Sequence, residues 1–151
     1  MFLVKDTSAS REERIKQFLG DDPALATLLS VIHFEWTTRR AIIALGTSPN
    51  VVIRQKLDRC HGHKAYKDLW KEEVAPNHHK ALPAVVRNWE GLLKAFKLRH
   101  LLVHGVRSCE PAYATERAQW AIAATADLRV FCALQGIDID ARLPIRRQKK
   151  T

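Results

Sequence analysis

Between residues 22 and 136 the apolar positions recur three or four apart, the spacing of one helix face, and strand-like alternation is scarce. The run "DDPALATLLSVIHFEWTTRRAIIALG" opens on acids and a proline and closes on Gly46, so it predicts a helix. Leu25, Leu28, Leu29, Ile32, Trp36 and Ile43 are expected to form its buried stripe. Glu35 falls at the edge of that stripe. Arg39 follows four residues later, near enough to pair with it. After the turn "TSPN", the stretch "VVIRQKLDRCHGHKAYKDLWKEEVAP" predicts one or two shorter helices around Gly62. Beyond a break at "NHHKALP", a long helix is expected from Leu82 to Gly105, with Gly105 as its C-cap. Leu82, Val85, Val86, Trp89, Leu93 and Phe96 line its main stripe. "SCEP" interrupts the chain, and an alanine-rich helix then runs to Gly136. Residues 1–20 are polar with little pattern. The expected fold is all-α, an antiparallel bundle of about four to five helices joined by short loops. It would occupy residues 22–136, between a polar N-terminal segment (1–21) and a basic C-terminal tail (137–151).

Composition adds little to that picture until charge is counted. The chain of 151 residues suits one domain with its own core. Three cysteines at scattered spacings make no disulfide framework and fit a reducing cytosol. The apolar run at the start is too short for a signal peptide, and no stretch approaches membrane-span length, so a cytoplasmic protein without a membrane partner is expected. The 25 Lys and Arg against 16 acids give a net charge of +9. Such an excess favours polyanionic partners, nucleic acid first, although an acidic protein partner or plain solubility would account for it too. The tail "RLPIRRQKK" carries part of the charge and is expected to project as a solvated segment.

One stretch breaks the apolar pattern with chemistry. In "KLRHLLVHG", residues 97–105, Arg99, His100 and His104 stand among leucines and a valine at the end of the long predicted helix. His100 and His104 are four apart and share a face, while Arg99 and His104 lie about 140° apart on an ideal wheel. These last two meet only if the helix end distorts or a second copy supplies the other half. Leu98, Leu101 and Leu102 make the opposite side apolar as well, which favours a neighbour across this helix. Three readings compete. Cationic residues stabilise the negative end of a helix. A His pair at i, i+4 can ligate zinc, with further ligands from Cys60, His61 and His63 or from His78 and His79. Histidine and arginine can also do acid–base chemistry on a phosphodiester.

"RHLLVHG" resembles the Arg-x4-His signature of the HEPN superfamily (higher eukaryotes and prokaryotes nucleotide-binding domains), and the helix order of residues 22–136 is compatible with it. The resemblance implies an all-α bundle that dimerises through the signature helix. It also implies a metal-independent endoribonuclease of toxin–antitoxin or anti-phage defence systems, with no cofactor. Arg99 and His104 carry over as signature residues, and Glu35 in "HFEWTTRRAI" as the supporting acid of an early helix. The signature commonly has asparagine after its arginine; here His100 stands there, either as a hydrogen-bonding partner or as a second proton carrier.

On this reading His104 is the acid–base group, Arg99 the phosphate clamp, and Glu35 orients Arg99. Lys94, Lys97 and Arg107 flank the signature as candidate RNA contacts, and Arg146, Arg147, Lys149 and Lys150 extend the basic set. Trp70, Trp89 and Trp120 have the spacing of core residues, though tryptophans can also stack bases. The implied partners are RNA, a second copy of the chain, and an antitoxin or defence-system protein. The rival reading is a catalytically inactive module that binds RNA, a nucleotide or a partner protein.

Overall fold

The computed structural model describes residues 7–105 and 108–149. These residues are helical and contain no strand. The helices are α1 (Ser8–Asp21), α2 (Pro23–Leu45), α3 (Asn50–Leu57), α4 (Gly62–Glu73), α5 (Ala75–His78), α6 (Leu82–Val85), α7 (Trp89–Val103) and α8 (Pro111–Leu134). Among the described residues no helix is long and apolar enough to cross a membrane.

The all-α class is as expected, and α2, α3, α4 and α8 lie where the apolar spacing put them. The expected count of four to five helices falls short for two reasons. α5 and α6 are single turns, and α1 occupies a segment that shows no apolar period. Thr7 caps α1 by accepting from Ser10 N at 3.1 Å. Its buried face is Ser8, Arg11, Glu12 and Ile15, so charged residues hold positions where a sequence pattern looks for leucine. Arg11 Nε donates to His33 Nδ1 at 3.2 Å, and His33 Nε2 lies 3.6 Å from Glu12 Oε1. Mutual pairing is what lets charged groups sit inside.

The long helix expected from Leu82 also differs. Val86 is extended (φ −86°, ψ 109°), and the chain restarts at Trp89 under an Asn88 cap whose side chain accepts from Gly91 N at 2.9 Å. Pro83 starts a turn, but Asn88 starts the helix, as an N-cap asparagine should.

The chain packs as two compact units. The first holds the described residues up to Trp36 and Asn88–Ala126; the second holds Thr37–Arg87 and the described residues from Asp127 onward. In the first, Ile15, Ala26, Ala118 and Ile122 form a buried cluster with Phe18, Leu19 and Leu29 against it. Phe34 meets Phe96 edge to face at 5.9 Å, and Thr27 Oγ1 donates to Ala114 O at 2.9 Å. The stripe expected to be buried on α2 is buried only in part: Ile43 is buried and Leu29 packs on the cluster, but two members lie open. Ile32 and Trp36 are 38% and 39% exposed, while Ala26, Thr27, Ser30 and Val31 are buried. Small residues permit closer helix approach, and Thr27 and Ser30 satisfy their hydroxyls on backbone carbonyls.

In the second unit Trp70 is fully buried, donates Nε1–H to Lys80 O at 2.8 Å and packs on Phe131. The tail does not project as expected, at least as far as Arg146. Arg146 donates to Ile43 O (2.6 Å), Ala44 O (3.1 Å) and Ser48 O (3.0 Å), capping the end of α2, while Asn50 pairs with its backbone. Arg147 and Lys149 are exposed. Gly136 (φ 77°) ends α8 in a Schellman motif, with Ile137 N on Cys132 O.

Gly46, just past the end of α2, has no room for a side chain. A Cβ there would lie 2.4 Å from Ile53 Cδ1 and 2.7 Å from the backbone oxygen of Ile42. Gly46→Ala is therefore expected to cost about 1–3 kcal/mol, read as a lower urea midpoint with an unchanged slope.

Candidate functional site

The site is built in the first unit, from the end of α7 and the face of α2. Glu90 in the first turn and the Asn88 cap fix where α7 starts, and Gly105 (φ 64°) fixes where it stops. Between them Phe96 and Leu98 anchor the helix in the core, which leaves Arg99, His100 and His104 on the outward side. His104 has left the helix (φ −88°, ψ 3°), though its N–H still reaches His100 O at 3.2 Å.

Arg99, His100 and His104 line one open cleft of about 370 Å³, together with Leu28, Ile32 and Val103. The His100 and His104 rings lie against each other at a tilt, with centroids 4.4 Å apart and planes at 58°, as the i, i+4 spacing predicts. Arg99 forms an ion pair with Glu35 through Nη1 and Oε1, and its guanidinium lies 5.1 Å from the Phe96 ring centroid. Both partners of that pair are largely shielded, with 23% and 19% of their side chains exposed. A shielded, bidentate-capable guanidinium has less freedom than a surface one, so Arg99 is preorganised. Arg39, the other sequence candidate for Glu35, donates to Leu57 O at 2.9 Å and lies 3.6 Å from Asp58.

The structure thus brings Arg99, His100, His104 and Glu35 together. Lys94 and Lys97 are exposed on α7, but Lys94 lies over the Trp120 ring at 5.7 Å and neither lysine lines the cleft. Arg107 lies outside the described residues. Trp70 is core, while Trp89 and Trp120 are half-buried. Sequence spacing did not mark Leu28, Ile32 and Val103 as cleft walls, because it assigned α2's stripe to the core. Val103 is 63% exposed, so an apolar surface adjoins the polar cluster.

The other chemistry-bearing side chains are set apart by environment. Burial pushes the Cys132 thiol up to about 12 and the Cys60 thiol above its usual value, against the opposing charge of Arg39 for Cys60. Neither thiol is poised as a nucleophile. Burial, then the charge of Lys67, lowers the pKa of His63. Among the described residues no group of three or more His, Cys, Asp or Glu side chains is placed to hold a metal ion.

Set against protein-family models, curated proteins and solved structures, the chain matches none of them.

Proposed function

We propose that the chain is an endoribonuclease of the HEPN type, serving as a toxin or anti-phage defence component. The observation that carries the reading is the shared cleft: Arg99, His100 and His104 line it, and a carboxylate holds Arg99 from behind. RNA brings its own nucleophile. The 2′-oxygen attacks phosphorus as its proton passes to a histidine, and the P–O5′ bond breaks as the leaving oxygen takes a proton. The products are a 2′,3′-cyclic phosphate and a 5′-hydroxyl. Arg99 meets the charge that builds on the non-bridging oxygens, and His104 moves the proton. Glu35 sets the orientation of Arg99.

In the same proposal the helices form an antiparallel bundle and the chain works as a homodimer across α7, each copy giving one Arg99–His104 half-site. The exposed apolar side chains of Ile32 and Val103 in the wall of the cleft support this, since a second copy would remove them from water. An antitoxin or defence-system protein would restrain the activity.

A second reading has its own observation. Glu35 already neutralises Arg99, and a neutralised clamp suits a module that binds RNA or a protein without cutting. One experiment separates the two. Labelled RNA and its all-DNA counterpart are incubated with purified protein in excess EDTA. The nuclease reading expects cleavage of RNA only, leaving 2′,3′-cyclic phosphate ends. Intact RNA, or activity lost with the chelator, overturns it.

A further inference from the structure

The seam between α7 and α8, on the side of α7 away from the cleft, carries a second constellation. Lys94 Nζ lies 5.7 Å from the Trp120 ring centroid, and the Arg117 guanidinium lies 5.4 Å from the same ring. Arg117 also stacks on Tyr113, with Cζ 3.2 Å from that ring centroid. Cations and rings therefore alternate along the seam. Arg117 is only 8% exposed and its buried Nε has no hydrogen-bond partner; Nη1 reaches Tyr113 O at 3.2 Å and Glu116 at 3.4 Å. A guanidinium held mainly by ring faces stiffens those rings and keeps positive charge beside them.

Tyr113 ends this ladder. It is 45% exposed, and it walls a pocket of about 240 Å³ with Leu98, Leu101, Ser108, Cys109 and Glu110. The volume is below the roughly 300–1,000 Å³ of drug-sized ligand sites and suits one flat ring system. The walls are leucines and a tyrosine face, with one carboxylate as acceptor. That carboxylate repels phosphate, so the pocket itself selects an uncharged group. Phosphates are provided for outside it. Lys94 and Lys97 are exposed on α7, each four residues before a leucine of the pocket wall and so one turn away on the same face.

We propose that this pocket holds an unpaired nucleobase of an RNA strand, stacked on Tyr113, with Lys94 and Lys97 on the neighbouring phosphates. Glu110 accepts from an exocyclic amine, which selects cytosine over uracil among the pyrimidines. The inference rests on the RNA reading above and gives that enzyme a base-selecting subsite apart from the cleft. Aromatic platforms flanked by cations are the means by which proteins hold single strands.

Oligo(dC) and oligo(dU), which lack the 2′-hydroxyl and stay uncut, are titrated with the full chain and followed by fluorescence anisotropy. The two differ along the pairing edge, where cytosine carries a 4-amino donor and an N3 acceptor and uracil a 4-oxo acceptor and an N3–H donor, so the comparison reads whether Glu110 meets the amine position. Oligo(dC) is expected to bind roughly tenfold more tightly. Tyr113→Ala should weaken oligo(dC) binding roughly tenfold and Tyr113→Phe should not, since the phenyl ring still stacks. Glu110→Ala should bring oligo(dC) down to the oligo(dU) level. Equal wild-type affinities, or unchanged binding by folded Tyr113→Ala protein, overturn the subsite. RNA cleavage by the wild type, scored beside these titrations, tests the nuclease reading separately. Cleavage without base preference sinks only the subsite, and base preference without cleavage sinks only the nuclease.

Discussion

His104→Ala is expected to lower the rate of RNA cleavage by about 10²–10⁴-fold, the usual contribution of a positioned acid–base group. The melting temperature should hardly move. His104 is exposed, and the turn it begins is carried by the positive φ of Gly105 and by backbone hydrogen bonds, none of which needs the imidazole. His100→Ala should cost less, because His100 packs against His104 and orients it without, on this proposal, carrying the proton. Single-turnover cleavage of a labelled RNA, beside thermal melts of each variant, makes the comparison. A wild-type rate from folded His104→Ala protein removes His104 from the mechanism. A His100 variant more damaged than the His104 variant reassigns the proton transfer to the histidine that stands where the signature commonly has asparagine.

The largest effect on stability is expected in the second unit, at Glu73. This side chain is 1% exposed. Its oxygens accept from Thr47 N, Thr47 Oγ1, Ser48 N, Ser48 Oγ and Lys56 Nζ, tying the turn after α2 to α4 and α3. Burial alone pushes its carboxyl up. The hydrogen bonds from Lys56 and Ser48 outweigh that and hold it at about 2, against an ordinary 4.5. Glu73→Ala leaves buried donors unmet and should cost about 3–5 kcal/mol. The pH dependence follows from the lowered value. The carboxylate's contribution is complete above pH 4.5 and is lost as pH falls toward about 2. From this group the wild type should lose roughly 3 kcal/mol across that window, and the alanine variant nothing. Urea unfolding at several pH values reads the gap between the two proteins. A gap that stays constant from pH 6 down to pH 3 contradicts this account.

How much of this was legible depends on which property each residue expresses. Helices α2 and α8 were legible because proline, glycine and apolar spacing mark their ends and cores. α1 was not, since Arg11 and Glu12 are buried by pairing with His33, and charge in a sequence looks like solvent exposure. The start of α7 was misplaced because Pro83 and Asn88 are both good starts, and only packing chose Asn88. Ile32 and Trp36 read as core because hydrophobicity does not say which apolar face a helix buries when it is apolar nearly all round. Glu73 gave no signal at all. Its five donors come from residues up to 26 positions away.

For the candidate site, the sequence by itself determined the chemistry. His100 and His104 belong together through short-range spacing, and a helical turn brings residues four apart into contact whatever the rest of the chain does. The contact of His100 with His104 was fixed at that level. Tertiary structure alone decided two things: that Glu35 rather than solvent meets Arg99, and that Leu28 and Ile32 of α2 wall the cleft beside Arg99, His100 and His104. The reason is range. Spacing along a helix acts over one turn, whereas Glu35 and Arg99 are 64 residues apart and meet only because the part of α2 up to Trp36 packs with α7 in the first unit.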